Sequence, residues 1–427
     1  MSSQTGNLLL TRGERAALQR RTLRILTVGQ IVGAAALGAA ITVGGYVVED
    51  IVGVNTPWVG LSTAGVTVGS GFMAQILSQV MRKRGRRPGM ALGYGLAVVG
   101  GVISCVGVQL SFLPVFLAGL FLYGAGSATN LQARYAATDL AEPEHRSGAM
   151  GTILFASTFG SVFGPLLVQP AEHFGTVWFG LARYAGPWLF SSLFFAGAGL
   201  NIFFRLRPDP LLIWAAENGG VEEHAKIRFT DCIRAVLASP AARLALSAMV
   251  VAQAVMVGVM AMTPIDMKMN GHETVSPYVV SVHIAGMFAF SPLVGRYADK
   301  KGRLAALRAG GVVLMIACAL SGVAADNVPM MFVAMWALGL GWTLALIGGS
   351  SLLIDNIPSS YRVSVQGAAD LTTAVCGGSA GVLCGFLMDW VGFAALAVGG
   401  AVLTVPVLIG VLSQGRRDAA MTVVAAE

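Results

Sequence analysis

Two ionisable side chains, His283 and Asp370, stand well inside long apolar stretches of the sequence. Titratable groups are costly in apolar surroundings, so they usually face a partner or a water-filled path. Imidazole titrates near neutral pH, and a carboxyl group shielded from water can do so as well. Both residues are therefore candidates to carry a proton. The alternatives are structural: His283 bonds to a neighbouring helix, and Asp370 pairs with Arg362 or Arg134.

Neutral amides form a second set of candidates. Gln30, Asn130 and Gln253 lie near the middle of apolar runs, where they could contact a small solute. A single buried amide more commonly bonds to a neighbouring helix, so both interpretations stay open.

Long apolar runs are the elements that must position these residues. Of the 427 residues, 55% are hydrophobic and only 11% are charged, which is unusual for a soluble globular protein. Runs of about 20 apolar residues are long enough for a helix to cross a bilayer. We delimit twelve predicted spans, at 23–47, 57–81, 89–111, 113–135, 149–169, 187–204, 243–264, 277–297, 304–325, 328–354, 364–388 and 391–413.

The cations predict the orientation of these spans. With twelve spans both termini lie on one side, and every Lys and Arg except Arg183 and Lys268 lies on that side, in a loop or near the end of a span. The positive-inside rule makes that side the cytoplasm. Because the basic residues separate apolar runs and form no continuous face, the net charge of +7 does not indicate nucleic-acid binding.

A dense charge cluster ends the eighth span and recurs half a chain earlier. The stretch "GRYADKKGRL" begins at Gly295, and "SQVMRKRGRR" begins at Ser78. The glycines of the two turns, Gly302 and Gly85, are therefore 217 residues apart. Such a repeat predicts that the two halves of the chain are copies of each other.

A second repeated motif supports the same duplication. "DLAEPEHRSGAMG" begins at Asp139 and "DNIPSSYRVSVQG" at Asp355, and both fit D-x6-R-x4-G at an offset of 216. The arginines of the two copies are Arg146 and Arg362. Both copies stand in cytoplasmic loops at the same ordinal position within their halves.

With these motifs, nearly the whole chain resembles the major facilitator superfamily. Its signature G-x-x-x-D-R-x-G-R-R is matched between spans eight and nine at five positions, namely Gly295, Asp299, Lys300, Gly302 and Arg303. The copy between spans two and three retains Gly85, Arg86 and Arg87. It has Ser78 in place of the first glycine and Arg82 in place of the acid.

The resemblance implies a gate at the cytoplasmic ends of the helices. Asp299 could accept hydrogen bonds from backbone amides, or pair with an arginine, in only one of two conformations. The alternative is that the cluster is only a tight turn and a topology signal. Arg82 at the corresponding position of the first half suggests that the two halves close differently.

Span five contains "GSVFGP", which runs from Gly160 through Gly164 to Pro165. Small residues four apart allow close helix contact, and proline removes a backbone hydrogen bond, so a bendable span is expected. The stretch resembles the start of a motif of family members that export by antiport. The match is partial, because Val168 and Gln169 stand where glycines usually follow.

These features predict an all-α polytopic membrane protein with two six-helix bundles, 1–204 and 243–413, a cytoplasmic linker 205–242 and a cytoplasmic tail 414–427. The sequence has no nucleotide-binding motif, catalytic triad or metal-ligand spacing, so neither an enzyme nor an ATP-driven pump is indicated. The shortage of central charges argues against a highly charged substrate.

We expect a secondary transporter that works by alternating access and exports a small amphipathic or apolar solute in exchange for protons. It would act as a monomer in the plasma membrane, in contact with lipid and solute and without a cofactor. Uptake or facilitated diffusion of a neutral metabolite is the alternative within transport. A receptor that keeps the fold without transporting is the alternative outside it.

Overall fold

The computed structural model describes residues 11–53, 58, 61–217, 227–272, 274–324 and 327–424. Within these ranges the chain forms helices and turns and contains no strand, which confirms the predicted all-α class. Residues 218–226 of the predicted linker lie outside the described part of the chain.

The described part of the first half forms seven α-helices that correspond to predicted spans one to six. Span five is divided between two helices, and the first of them ends one residue after Pro165, as expected for a proline that removes a helical hydrogen bond. The helices are α1 (Arg12–Val52), α2 (Leu61–Arg84), α3 (Arg86–Gln109), α4 (Leu113–Ala136), α5 (Arg146–Leu166), α6 (Val168–Phe179) and α7 (Gly186–Arg205).

Two short helices occur in the linker, α8 (Pro210–Glu217) and α9 (Phe229–Ala238). The second half then forms α10 (Pro240–Met269), α11 (Ser276–Phe288), α12 (Ser291–Lys301), α13 (Arg303–Ala324), α14 (Val328–Asp355) and α15 (Arg362–Val424). Helix α15 covers the last two predicted spans and is broken at Gly392, whose φ of 78° favours glycine.

By length and hydropathy alone, eight helical segments in the described part of the chain could cross a membrane. One of these segments, Ser359–Gly415, covers two predicted spans. The described residues of the other predicted spans are mostly helical too.

Corresponding helices of the two halves pack in the same way, through glycines. A Cβ added at Gly100 of α3 would lie 2.8 Å from the Leu122 backbone of α4. In the second half, a Cβ added at Gly341 of α14 would lie 2.9 Å from the Leu314 backbone nitrogen of α13. Both helix pairs thus approach to backbone contact, which only glycine permits.

Contacts between residues divide the chain into two compact units. The first unit comprises Met1–Glu142, Ala156–Phe229 and the short segment Gln366–Leu371 of α15. The second comprises Pro143–Phe155, Thr230–Val365 and Thr372–Glu427. Each unit therefore contains most of one half of the sequence and a short piece of the other.

Candidate functional site

A buried ion pair between Arg134 and Asp370 is the centre of the candidate site in the first unit. Arg134 Nη2 lies 2.5 Å from Asp370 Oδ1, and the two side chains are 1% and 2% exposed. Gln132 Nε2 donates to the other carboxylate oxygen at 3.2 Å. The guanidinium also donates to the Tyr135 hydroxyl at 3.1 Å and lies over the Tyr135 ring. Each oxygen of Asp370 therefore has a donor.

A second buried ion pair lies near the first. Arg86 binds both oxygens of Asp139, with Nε at 2.8 Å and Nη2 at 3.1 Å. The same Nη2 donates to Gln366 Oε1 at 2.9 Å. Because Gln366 precedes Asp370 by four residues, the two side chains stand on one face of α15. The beginning of α15 thus contacts both arginines.

In the second unit, Asp299 caps the amino end of α5. Its carboxylate accepts hydrogen bonds from the backbone nitrogens of Ser147 at 3.0 Å and Gly148 at 2.7 Å. This is the type of backbone contact that the sequence analysis considered for Asp299. A carboxylate at this position is favourable because the first amides of a helix lack intrahelical partners.

Arginines of the repeated motifs pair with the acid of the second motif in both units. In the second unit Asp355 is bound by Arg146 and, at 3.2 Å, by Arg303 Nε. Arg303 and Asp355 are the sequence counterparts of Arg86 and Asp139, which form the buried pair of the first unit. The sequence repeat therefore predicts a structural repeat down to one ion pair.

In the first unit, Arg82 stands in place of the motif acid, and a different residue caps the next helix. Arg82 is buried, and its Nε and Nη2 atoms have no hydrogen-bond partner in the described part of the chain. Asp209 of the linker instead accepts hydrogen bonds from the backbone nitrogens of Arg86 at 3.1 Å and Arg87 at 2.7 Å, at the start of α3. The turn before α3 requires glycine at position 85, because φ there is 93° and a Cβ would lie 2.5 Å from the Asp209 carboxylate.

Asp209 is a residue that the sequence analysis missed. It stands in "RPDPLL", and aspartate before a proline is typical of a helix N-cap. That signal predicts a cap for α8, and Asp209 does accept from Leu211 N at 3.0 Å. The additional contact with α3 is tertiary and has no local signal.

His283 is fully buried in the contact between α11 and α14. Its Nδ1 lies 2.9 Å from the Met335 carbonyl oxygen, so Nδ1 must be the donor. The other ring nitrogen, Nε2, has no hydrogen-bond partner among the described residues. The structural alternative for His283, a bond to a neighbouring helix, is thus present, and Nε2 stays available to a proton.

Each of the three amides that could contact a solute is hydrogen-bonded. Gln30 Nε2 donates to Ser157 Oγ at 2.8 Å, and Asn130 Oδ1 accepts from the Tyr94 hydroxyl at 2.8 Å. In the second unit Gln253 Oε1 accepts from Trp342 Nε1 at 2.8 Å. Interhelical bonding and solute contact do not exclude each other, because every amide also has atoms outside these bonds.

The glycines of the motifs allow backbones to approach closely. A Cβ at Gly160 would lie 2.6 Å from Ala35 N, so α5 and α1 are in direct contact there. A Cβ at Gly295 would lie 2.9 Å from the Gly148 Cα. In the first unit Ser78 replaces that glycine, and it fits because the residue opposite it is Gly367.

The remaining motif residues have varied surroundings. Gly164 is buried near the end of α5, Arg362 is buried at the start of α15, and Lys300 is exposed. Gly302 forms the turn before α13 with a φ of 95°. This value lies in the region that the sequence analysis expects from a tight glycine turn.

A cavity of about 310 Å³ opens in the second unit between α10 and α15. Its wall is mostly apolar, with Met262, Phe386 and Met388, and contains one acid, Asp389. None of the ionisable or amide candidates from the sequence lines it.

Comparison with known proteins identifies relatives over most of the chain. The family model described as Major Facilitator Superfamily matches residues 26–382. Two uncharacterised MFS-type transporters of Bacillus subtilis, YddS and YdeG, are 34% and 32% identical, over 92% and 94% of this chain and 91% and 94% of their own length. The riboflavin transporter RfnT of Brucella anthropi is 26% identical over 83% of this chain and 86% of its own length.

Solved structures share the fold at low sequence identity. The human organic anion transporter MFSD10 superposes with a TM-score of 0.73 at 16% identity, covering 92% of this chain and 99% of its own. The fucose:proton symporter FucP of E. coli superposes with a TM-score of 0.66 at 14% identity, covering 91% and 97%.

Proposed function

This chain belongs to the major facilitator superfamily and is therefore a secondary transporter that works by alternating access, and we propose that it exports a small, neutral, amphipathic solute in exchange for protons. The observation that carries the coupling is the buried pair of Arg134 and Asp370. Both charges are shielded from water, so their attraction depends strongly on the protonation of Asp370.

The proposed coupling acts through the contact between α4 and α15. A proton on Asp370 removes the negative charge that holds Arg134, and release of the proton restores it. Arg86 binds Gln366 one turn away on α15, so the same segment responds at two contacts. Such a pair has two discrete states, which is what a gate linked to a proton requires.

His283 is the second proton carrier in this proposal. Protonation at Nε2 leaves the bond from Nδ1 to the Met335 carbonyl intact, so the ring can gain and lose a proton without leaving its place.

The solute class follows from the polar groups near mid-span. The candidates there are the amides Gln30, Asn130 and Gln253, which bond to neutral polar groups and carry no charge themselves. Export is favoured by the partial antiport motif that runs from Gly160 to Pro165. The cation distribution supports a multi-pass protein of the plasma membrane with both termini in the cytoplasm. We expect it to act as a monomer without a cofactor.

The second candidate function is uptake or facilitated diffusion of a neutral metabolite. The observation that favours it is the similarity to a protein named as a riboflavin transporter. Riboflavin is neutral and amphipathic, which makes it the first solute to test for both functions.

Flux into proteoliposomes with an internal pH indicator tests the proposal. Under antiport, an imposed pH gradient drives riboflavin movement, and riboflavin in turn dissipates the gradient. Riboflavin flux that ignores the gradient would contradict proton coupling and support facilitated diffusion. Absence of flux for riboflavin and for other neutral amphipathic solutes would contradict both functions.

A further inference from the structure

Four residues of the second unit lie at the middle of their spans. Gln253 is 13 residues from the start of α10 and 16 from its end, and Trp342 is 14 and 13 residues from the ends of α14. Phe288 is 12 residues after the start of α11 and 13 before the end of α12. Gly377 is 15 residues from Arg362 and 15 from the break at Gly392. At 1.5 Å per residue all four stand at about half the membrane depth, where secondary transporters bind their solutes.

Direct contacts join these residues. The only polar atom of the Trp342 side chain, Nε1, donates to Gln253 Oε1 at 2.8 Å. The Phe288 ring lies edge-on to the Trp342 ring, with centroids 6.2 Å apart and planes at 87°. A Cβ at Gly377 would lie 2.8 Å from Gln253 Cγ and 3.1 Å from its Nε2, so the amide occupies space that a larger residue would fill. The position of the amide is thus fixed on two sides.

The Nε2 group of Gln253 is available as a hydrogen-bond donor. It has no hydrogen-bond partner in the described part of the chain, and it is not fully buried. Gln253 and Phe288 are both half-buried. An oriented amide donor and an accessible aromatic ring therefore both contact Trp342 at mid-depth.

The helix that contains Phe288 is discontinuous at this depth. Helix α11 ends at Phe288 and α12 begins at Ser291, with Pro292 at its second position. Broken helices at the midplane are a common feature of solute sites in transporters, because the break gives room and frees polar groups.

We propose that Gln253, oriented by Trp342, donates a hydrogen bond from Nε2 to a carbonyl oxygen of a flat, neutral aromatic solute whose ring packs on Phe288. The inference rests on the proposed transport function and adds the solute class and its binding residues. Trp342 is a positioning residue, because its polar atom is bound to Gln253. A ring such as isoalloxazine, with carbonyl groups on a flat apolar frame, has the required chemistry.

Equilibrium binding of riboflavin to the purified full-length protein, followed by flavin fluorescence, tests the proposal. Gln253→Glu, measured at a pH at which the carboxyl group is ionised, is the informative variant, because an ionised carboxylate still accepts from Trp342 Nε1 but has no donor for the solute. We expect Gln253→Glu and Gln253→Leu each to weaken binding about tenfold or more. Trp342→Phe removes the orienting bond but keeps an aromatic ring at this position, so we expect a smaller loss, of about threefold.

Matched ligands and a matched variant provide the controls. Lumiflavin, which has the ring without the ribityl chain, should compete for the site, and ribitol should not. Gln109→Glu, the same change at an exposed residue that ends α3, should bind riboflavin like the wild type.

Three outcomes would overturn the inference: no saturable riboflavin binding to the wild type, wild-type binding by Gln253→Glu, or competition by ribitol. Failure of the proposed function alone would give a different experimental result. If riboflavin binding depends on Gln253 but flux ignores the pH gradient, the site stands and proton coupling is wrong.

Discussion

Arg134 of α4 and Asp370 of α15 form an ion pair that is almost completely shielded from water, with Nη2 and Oδ1 2.5 Å apart. Asp370 stands eight residues, about two helical turns, after the first residue of α15. In an apolar medium such a pair is stable only while both residues are charged, because an unpaired buried charge is strongly unfavourable. Protonation of the carboxylate is therefore the simplest event that can release α15 from α4.

Replacement of Asp370 by Asn tests this role. The amide cannot ionise, so we expect gradient-driven riboflavin flux in proteoliposomes to fall at least tenfold. Because Arg134 would lose its charged partner, the protein should also lose about 3–5 kcal/mol of stability, measured as a lower apparent melting temperature in detergent.

The double variant Arg134→Gln/Asp370→Asn separates coupling from folding. Without an unpaired buried charge, its melting temperature should recover most of the loss, whereas its flux should stay uncoupled. Asp389→Asn, an exposed acid on the same helix, is the control and should keep gradient-driven flux. Coupled flux in the double variant would rule out the pair as the coupling element.

The proposed role of His283 as a proton carrier is tested with His283→Gln. A glutamine amide can donate to the Met335 carbonyl as Nδ1 does, but it cannot take up a proton. We expect the variant to fold and insert, and its gradient-driven flux to fall several-fold with a flatter dependence on pH. Flux with the wild-type rate and pH dependence would show that His283 has only a packing role.

Asp299 is expected to stabilise one conformation of the transporter through its contact with the start of α5. Asp299→Asn removes the charge and one of the two oxygens that accept from Ser147 N and Gly148 N, which should shift the conformational balance about tenfold. The measurement is the labelling rate of Cys at position 351 by a membrane-impermeant maleimide. Ser351 is buried and bonded to Ser147, so Ser351→Cys reports opening at this contact.

The neighbouring exposed cation provides the control for this experiment. Lys300→Gln also removes one charge from the cluster, but Lys300 is exposed at the end of α12 and its loss leaves the cap of α5 intact. Its labelling rate should equal that of the parent. Equal rates in Asp299→Asn and the parent would contradict a gating role for Asp299.

How far the sequence predicts this molecule depends on whether a contact leaves a local pattern. Apolar runs predict the helices, because crossing a bilayer requires about 20 such residues in a row. The repeated motifs predict that Arg303 and Asp355 correspond to Arg86 and Asp139, and in the structure both sets form ion pairs. These features are local or repeated, so one sequence suffices to recognise them.

Tertiary partners of single polar residues leave no such pattern. From the sequence, Arg134 and Arg362 are equally possible partners of Asp370, because spacing along the chain cannot distinguish them. The position of Gln366 does predict that it lies beside Asp370, since it precedes Asp370 by one helical turn and so shares its face. The bond from Trp342 to Gln253 joins residues 89 positions apart, and only the fold brings them together.

Close helix contact at Gly160 predicts a sharp difference between two Gly→Ala variants. In Gly160→Ala the new methyl group would lie 2.6 Å from Ala35 N, so α5 must move away from α1, at a cost of about 1–3 kcal/mol. Gly95→Ala is the control, because Gly95 is exposed on α3 and a Cβ there meets no atom within 4 Å among those described. Apparent melting temperatures should fall only for Gly160→Ala, and equal values would contradict backbone contact.

The linker is predicted to contribute to stability through Asp209. This carboxylate accepts from the first amides of α3 and from Leu211 N in α8, so Asp209→Ala leaves two helix ends uncapped. At about 1 kcal/mol for each cap, we expect a loss of about 2 kcal/mol, seen as a fall of a few degrees in melting temperature.

Two further variants show whether Asp209 acts as a cap. Asparagine caps helices about as well as aspartate, so Asp209→Asn should restore most of the stability that Asp209→Ala loses. Asp231→Ala removes an acid from α9 whose pairing with Arg234 is solvent-exposed, and such pairs contribute little. A loss in Asp231→Ala as large as in Asp209→Ala would mean that net charge, and not capping of α3, controls the stability of the linker.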